Sequence, residues 1–592
     1  MRTFLAATLV ALLTSVAVAE LPTGYWPADK TQPILDSTMR LTLDPDLSHL
    51  SKAESSAVDE LLAAGAIIHK LYENQRHEQA HDSKLALVEL HRKSGETAAT
   101  QNLLDLFYLS KGPIATTLDN QRLAFVPVDA EHPGKNIYPA GLQRGEIDAY
   151  LDAHPTQANE ILSLRSVVRR ASAENIAADL AWLDDFPEID ALHIGLRTRL
   201  ESLSEDASAF YAVPYALAYA AELRRVRQHL NTAADHVAME TPDFAAYLRN
   251  RGRDLLSGDY ESGDASWVSG DFGNLNIQIG SYETYDDSLL GVKATYAASI
   301  LARDEEKSRS LMDALAGLQA IENSLPYDHA KQVSSRIPVG VYNIIADFGQ
   351  SRGANTATIL PNDADFTRKY GRTILLRYNI MAHPAIFANR KKSFDAVIDA
   401  CCNDHLTSEG GFNRTLWHEV GHYLGVAKTA DGQNLSEALA DTADLFEEMK
   451  SDLVSLYAIQ ALHSSGFHDD DTARAHYADG IRRTLQSVKP RPSQAYQTMQ
   501  LMQFNFYMEY GLLEPGTESG LLVINYNRYH EIVTRLLRQV LQIQYAGDYE
   551  QAREFVARWS YWNDKVHGDI AERLNGAGGY RRTLIRYSAL ND

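Results

Sequence analysis

Cysteine is nearly absent from this chain: there are two in 592 residues, side by side at Cys401 and Cys402. Neighbouring Cα atoms sit about 3.8 Å apart, short of the ~4.4–6.8 Å that a disulfide usually spans, so two separately packed thiols are expected rather than a strained vicinal bridge. Neither cysteine has the spacing of a zinc site, and stability has to come from a buried core. Positive charge is also scarce. Lys and Arg number 56 against 78 Asp and Glu, giving a formal charge of −22. Nucleic acid is thereby excluded as a partner, because binding it relies on neutralising phosphates with cations. Beyond the amino-terminal segment no stretch reaches the ~18 apolar residues needed to span a bilayer. Low-complexity tracts and obvious internal repeats are missing too.

The amino terminus holds the one apolar run. Met1-Arg2-Thr3 is followed by apolar sequence from Phe4 to Val18, closing on Ala17-Val18-Ala19. A charged start, a hydrophobic middle and a small-residue end are the parts of a secretory signal peptide, so residues 1–19 are expected to be removed. Loss of Arg2 takes the charge to −23, and no cysteine opens the mature chain to carry a lipid. The expected product is exported, periplasmic or secreted, with no membrane span.

With 45% hydrophobic residues the rest of the chain can fill more than one core, and its length predicts two or more lobes. Residues 58–72, 213–230 (opening at Pro214) and 532–543 place apolar side chains at helical spacing. The Asn/Gly/Asp-rich stretch 256–273 separates the helical amino-terminal part from an expected strand at 275–279, and a second extended segment falls at 373–378. The pattern is mainly α with a small β core, an α+β fold.

The most informative run is Thr415-Leu416-Trp417-His418-Glu419-Val420-Gly421-His422. It has the H-E-x-x-H arrangement of zinc hydrolases. Residues four apart share a helix face, so His418 and His422 can each offer a ring nitrogen to one metal ion. Glu419 then stands beside the ion, where it can take a proton from an activated water and pass it to a leaving amine. A third ligand is supplied by a second helical segment, 441–457, in which Phe446, Met449, Leu453 and Leu456 form an apolar face beside an acidic stripe of Asp441, Asp444, Glu448 and Asp452. Glu448 followed four residues later by Asp452 is the spacing at which one carboxylate binds zinc and the other accepts the free N–H of a ligating histidine. Glu447 lies one position off that line, and Glu448 is preferred.

The pairing of these two segments resembles the dipeptidyl peptidase III family of zinc metallopeptidases, in its bacterial branch with a five-residue zinc motif; the eukaryotic members carry one more residue between the histidines. Residues 279–287 (Ile-Gly-Ser-Tyr-Glu-Thr-Tyr-Asp-Asp), continuing through Leu290-Gly291-Val292-Lys293, are similar to the family segment whose glutamate grips the substrate amino terminus. The tyrosine two residues on donates a hydrogen bond to the carbonyl under attack. The resemblance implies these roles for Glu283 and Tyr285. Residues 71–75, 136–139 and 547–549 look like further landmarks of bacterial members. Leu360-Pro361-Asn362-Asp363 resembles the loop that holds the substrate backbone, which implies Asn362; the Asn found three positions earlier in members that trim dipeptides is Ile359 here. A histidine in the carboxy-terminal part of the family's catalytic lobe stabilises the transition state, a role implied for His530, with His567 the competing candidate. The resemblance implies two lobes across a wide cleft: a substrate-binding lobe over 20–385 with the β core, and a helical lobe over 386–592 carrying one zinc ion.

Three functions follow. The leading one is a zinc metallopeptidase acting on short peptides near their amino end. The others are a metallohydrolase of the same fold acting on another amide, and a peptide-binding protein without catalysis. Retention of Glu419 argues against the last, since binding alone needs no general base.

Overall fold

The computed structural model describes residues 21–592 except 120, 334–338, 354–355, 362–365, 367–368, 491–494, 518 and 591–592. The expected leader and Asn362 therefore lie outside the described residues. The elements that build and hold the site are, in chain order, strand β1 (Thr38–Leu43), helix α1 (Lys52–Arg76), helix α2 (Ala220–Val237), helix α3 (Glu261–Ser269), strands β2 (Leu275–Glu283), β3 (Thr295–Arg303), β4 (Val339–Gly349), β5 (Ala357–Leu360) and β6 (Thr373–Arg377), helices α4 (Pro384–Asp395), α5 (Ser408–Gly421), α6 (Ala443–Ser464), α7 (Asp470–Thr484), α8 (Ala495–Glu509) and α9 (Tyr529–Ala546), and strand β7 (Arg582–Tyr587). The molecule is mainly helical with a small mixed sheet, in two lobes.

Five strands form the sheet in the order β2-β3-β4-β6-β5. Only the β4–β6 pair is parallel. Helix α1 lies across β3 and β4. Its start is fixed by a capping box in which Ser51 and Glu54 satisfy each other's backbone N–H. Close approach to the sheet needs a residue without a side chain: a Cβ at Gly65 would sit 2.3 Å from the Phe348 ring. In the second lobe α6 is the central rod, packed by α5, α7, α8 and α9, and its buried positions run nearly all round. One apolar cluster runs continuously from Met39 to Tyr587 through both lobes.

Among the described residues, the contacts that join the lobes include one at Gly425, just past the motif, and one at Tyr457 of α6. The buried Glu322 accepts from Gly425 N at 2.7 Å, and the Tyr457 hydroxyl of α6 donates to the Ser324 carbonyl. At the far end of the chain, β7 returns to pair in parallel with β1, with Thr38 opposite Arg582 and Leu43 opposite Tyr587.

Two expectations change. The stretch read as a separator, 256–273, contains α3, because Trp267 and Val268 are buried and Asp264 takes the buried Arg251. Pro214 closes a strand (Asp206–Pro214) instead of opening a helix, and the helical run after it breaks at Tyr219 before α2 begins.

Candidate metal centre

Helix α5 starts at Thr407, whose hydroxyl accepts from Gly410 N, and ends one residue short of His422. His418 and His422 stay on one face, with ring centroids 5.0 Å apart. The C-terminal carbonyls that a helix leaves unpaired are met by a neighbour: the buried Lys450 of α6 donates to Gly421 O at 2.9 Å and Leu424 O at 3.0 Å. Gly421 permits the approach, since a Cβ there would lie 2.7 Å from Ser451 O.

This packing brings Glu448 to the two imidazoles. Its Oε2 lies 3.2 Å from His418 Nε2 and 3.8 Å from His422 Nε2, and the three ligand atoms fall within 4.8 Å of one another. Bonds of ~2.0–2.1 Å in tetrahedral geometry place ligand atoms roughly 3.4 Å apart, so the set fits zinc. Glu448 Oε2 is also buried without a hydrogen bond of acceptable geometry, an orphan that a cation would satisfy.

Each imidazole is held by its other nitrogen. His418 Nδ1 lies 2.8 Å from Asp452 Oδ1, which also accepts from Arg414 Nη1 at 2.5 Å. His422 Nδ1 lies 2.9 Å from Glu447 Oε1 and 3.0 Å from Ser451 Oγ. Nδ1–H bonds of this kind leave both Nε2 lone pairs for a metal. Burial opposes charge on His418, but Asp452 and Glu448 outweigh it and raise its pKa to about 9. Burial raises Asp452 less than Arg414 and His418 lower it, so its carboxyl stays well below the usual range. Glu447, despite burial, is drawn down to about 2 by Lys450 and His422.

Glu419 lines a cavity of about 170 Å³ together with His418, Tyr496 and, from the sheet lobe, Thr356 at the foot of β5. Tyr496 was not found from the sequence. It faces Glu448, and burial followed by that carboxylate pushes its pKa up. No spacing rule joins a tyrosine to a carboxylate 48 residues away. Glu447 and Lys450, by contrast, lay in view on the second segment.

The substrate-side candidates sit on the sheet lobe. Glu283 ends β2 after a bulge, paired with Thr295. Tyr285, two residues on, is 85% exposed, and its pKa is raised first by the Glu283 carboxylate and then by burial. The loop behind them is firmly tied: Asp286 accepts from Tyr72 at 3.0 Å, and Asp287 accepts from Tyr138 at 2.8 Å and from the backbone N–H groups of Leu289, Leu290, Val292 and Lys293. The landmark segments 71–75 and 136–139 thus anchor the loop that carries Tyr285, while in the third landmark Gly547, at φ +64°, ends α9. Pro361, adjacent to Asn362, lines a cavity of about 470 Å³ with Tyr282.

His530 opens α9 and packs on Tyr457 of α6, ring centroids 5.0 Å apart. Tyr457 lies nine residues beyond Glu448, a rise of about 13.5 Å along the helix. Burial lowers the His530 pKa and favours the neutral ring. His567 is engaged on both nitrogens: Nε2 lies 2.8 Å from Asn505 Oδ1, and Nδ1 accepts from Asn563 N at 2.8 Å. Cys401 and Cys402 are free thiols, one exposed and one buried. Among the described residues no helix is long and apolar enough to cross a membrane.

No family model matches the chain. Nudix hydrolase 3 of Arabidopsis thaliana is 24% identical over 553 residues, covering 86% of this chain and 67% of that protein. Among solved structures, dipeptidyl peptidase III from Caldithrix abyssi superposes with a TM-score of 0.78 at 22% identity, over 95% of this chain and 99% of that one. The dipeptidyl-peptidase III from Corallococcus sp. strain EGB gives 0.71 at 23% identity, over 96% and 98%. The two likenesses extend over nearly the whole chain and establish its fold.

Proposed function

We propose that the protein is a zinc metallopeptidase of the dipeptidyl peptidase III family, hydrolysing short peptides near their amino terminus. The observation that carries this reading is the meeting of His418, His422 and the orphaned Glu448 Oε2, with Glu419 in the adjoining cavity. A zinc ion held there would polarise a carbonyl and lower the pKa of water towards about 7.

The chain's own residues supply the rest. Glu419 takes the proton from the attacking water and delivers it to the departing amine nitrogen. Asp452 and Glu447 fix the imidazoles so that neither ligand turns away. On the sheet lobe Glu283 pairs with the substrate ammonium, which sets the bond presented to the metal. Tyr285 donates to the developing oxyanion, a contact worth ~3–4 kcal/mol when preorganised. Among the described residues β5 is the edge strand, and its outer side would take an extended peptide, with Asn362, two residues on in sequence, holding the backbone. His530 serves as the neutral donor from the helical lobe. Residues 1–19 direct export.

The test is mass spectrometry of products from free and N-acetylated peptides of about four to ten residues, with the unaltered protein and Glu419→Gln in parallel. Dipeptides released only from free amino ends, at a rate ~10²–10⁴-fold lower in the variant, with one zinc retained per chain in both, are expected. Full activity in Glu419→Gln would sink the reading. Ile359, half-buried in β5 and packed on the core, favours one second reading, hydrolysis of a different amide by the same centre. Zinc with turnover of another amide and none of peptides would select it.

A further inference from the structure

The cavity that Glu419 and His418 share is lined by four arginines: Arg390 from α4, Arg414 from α5, and Arg482 and Arg483 from α7. Two of them are neutralised. Arg414 holds Asp452 and lies 3.3 Å from Asp479, and Arg482 holds Asp479 at 2.5 Å. Among the described residues neither Arg390 nor Arg483 forms an ion pair with a carboxylate. Arg390 donates only weakly, to Met381 O at 3.4 Å; Arg483 Nη2 donates to the Gln500 amide oxygen at 3.1 Å, while its Nε is buried without a hydrogen bond. Burial and the neighbouring Arg482 lower the Arg390 pKa to about 10; repulsion from Arg414 and burial do the same to Arg483. Both therefore remain cations at neutral pH while sitting in a site that disfavours their charge. Asp479 offsets part of that cost at Arg390, and Asp452 with Asp479 at Arg483; an anion held between the two guanidinium groups would offset more of it.

General attraction does not explain such a cluster. The chain carries −22 overall, and fields beyond a Debye length of about 8 Å are screened at physiological salt. A concentrated positive wall beside the general base acts at contact range, on a group already bound. At about 170 Å³ the cavity is smaller than the ~300–1,000 Å³ of a drug-sized pocket, so it takes one functional group and not a whole peptide. Guanidinium forks match carboxylate geometry.

We propose that Arg390 and Arg483, backed by Arg482, form a carboxylate-binding subsite next to the metal centre, which selects peptides bearing a carboxylate just beyond the scissile bond on the side of the departing amine. The proposal rests on the peptidase reading: with the ammonium end on Glu283 of the sheet lobe, the remaining half of a short peptide meets the helical lobe. The carboxylate has two sources, the carboxyl terminus of a very short peptide or an Asp or Glu side chain.

Four tetrapeptides separate them: Ala-Ala-Ala-Ala as free acid and as amide, and the amides of Ala-Ala-Asp-Ala and Ala-Ala-Asn-Ala. The expected result is kcat/KM roughly tenfold or more higher for acid over amide, or for Asp over Asn, according to source. Arg390→Gln and Arg483→Gln each bring that ratio to within twofold, and Arg390→Lys keeps part of it. Zinc content and thermal unfolding are followed in every variant, and where Arg483→Gln fails to fold, Arg390→Gln decides. Cleavage of all four peptides with both ratios within twofold overturns the subsite and leaves the peptidase standing. Cleavage of none overturns the peptidase reading. The subsite then stands only if calorimetric titration with the acid and its amide still separates their Kd values tenfold and Arg390→Gln erases the difference.

Discussion

Asp452 touches no metal in this arrangement, yet two cations depend on it. It accepts from His418 Nδ1 and from Arg414, all three being buried. Asp452→Asn keeps the shape and removes the charge. We expect zinc affinity to fall ~10–100-fold by chelator competition, with Arg414 left buried beside an uncharged amide. Lys293 gives a pH-dependent counterpart. Its buried amine donates to Ile161 O, Ser163 O and Ser166 Oγ at 2.5–2.8 Å, and burial, only partly offset by Asp287, lowers its pKa to about 7. In the unfolded chain the value is about 10.4. Between these pH values the unfolded state holds more protons, so this group's contribution to stability rises with pH from about 7 upward; below 7 the cost of its buried charge is fully present. The difference in unfolding free energy between wild type and Lys293→Met should therefore widen in favour of wild type from pH 7 to 9 by urea titration, and a constant difference would refute the assignment. His418, Glu419 and His422 are legible in the sequence through the H-E-x-x-H spacing, and Glu448 with Asp452 through carboxylates four apart on a second helical segment, although periodicity does not itself bring the two segments together. Tyr496, Arg390 and the engagement of His567 are not, because they depend on which helices pack together.

At the scale of elements the metal centre is a statement about how closely α5 and α6 approach. Gly421 is the contact point, with Ser451 O and Cα 2.7 and 2.9 Å from where a Cβ would stand. Both are backbone and belong to a helix packed on every side, so neither can yield cheaply. Gly421→Ala should cost ~1–3 kcal/mol by overpacking and should weaken zinc binding as well, because His422 and Glu448 ride on the helices being separated. A loss of stability with unchanged zinc affinity would show that the ligands are placed independently of that contact. The strand at 275–279 and the helices at 58–72 and 532–543 could be read directly, each lying within an observed element of the expected type, and the extended segment 373–378 matches β6 except at Tyr378, which opens a short helix (Tyr378–Met381). Helix α3 could not: its sequence Glu-Ser-Gly-Asp-Ala-Ser-Trp-Val-Ser is poor in helix formers, and burial of Trp267 with the Arg251–Asp264 pair supplies what propensity does not.

Across the whole molecule the longest-range tie is that between β1 and β7. Leu584, Ile585 and Tyr587 are buried there, Arg586 and Arg40 both reach the buried Asp105, and the Tyr587 hydroxyl donates to Asp347 in β4. Burying side chains of this kind contributes ~1.5–3 kcal/mol each, a large share of the ~5–15 kcal/mol that keeps a typical domain folded. Tyr587→Ala should lower the urea midpoint by the equivalent of ~3–5 kcal/mol, and removal of residues 580–592 should abolish the cooperative transition. A truncated chain that melts like the intact one would refute the role given to β7. Nothing in the sequence pairs these strands, since more than 500 residues part them and local pattern carries no information on partners.

Synthesis runs from the amino end, and domains ordinarily close as they emerge. Here β1 has its partner more than 500 residues further along the chain, so β1 keeps an open edge until β7 has been made. Strand β7 acts as a clasp: its arrival is the event that lets β1 shut.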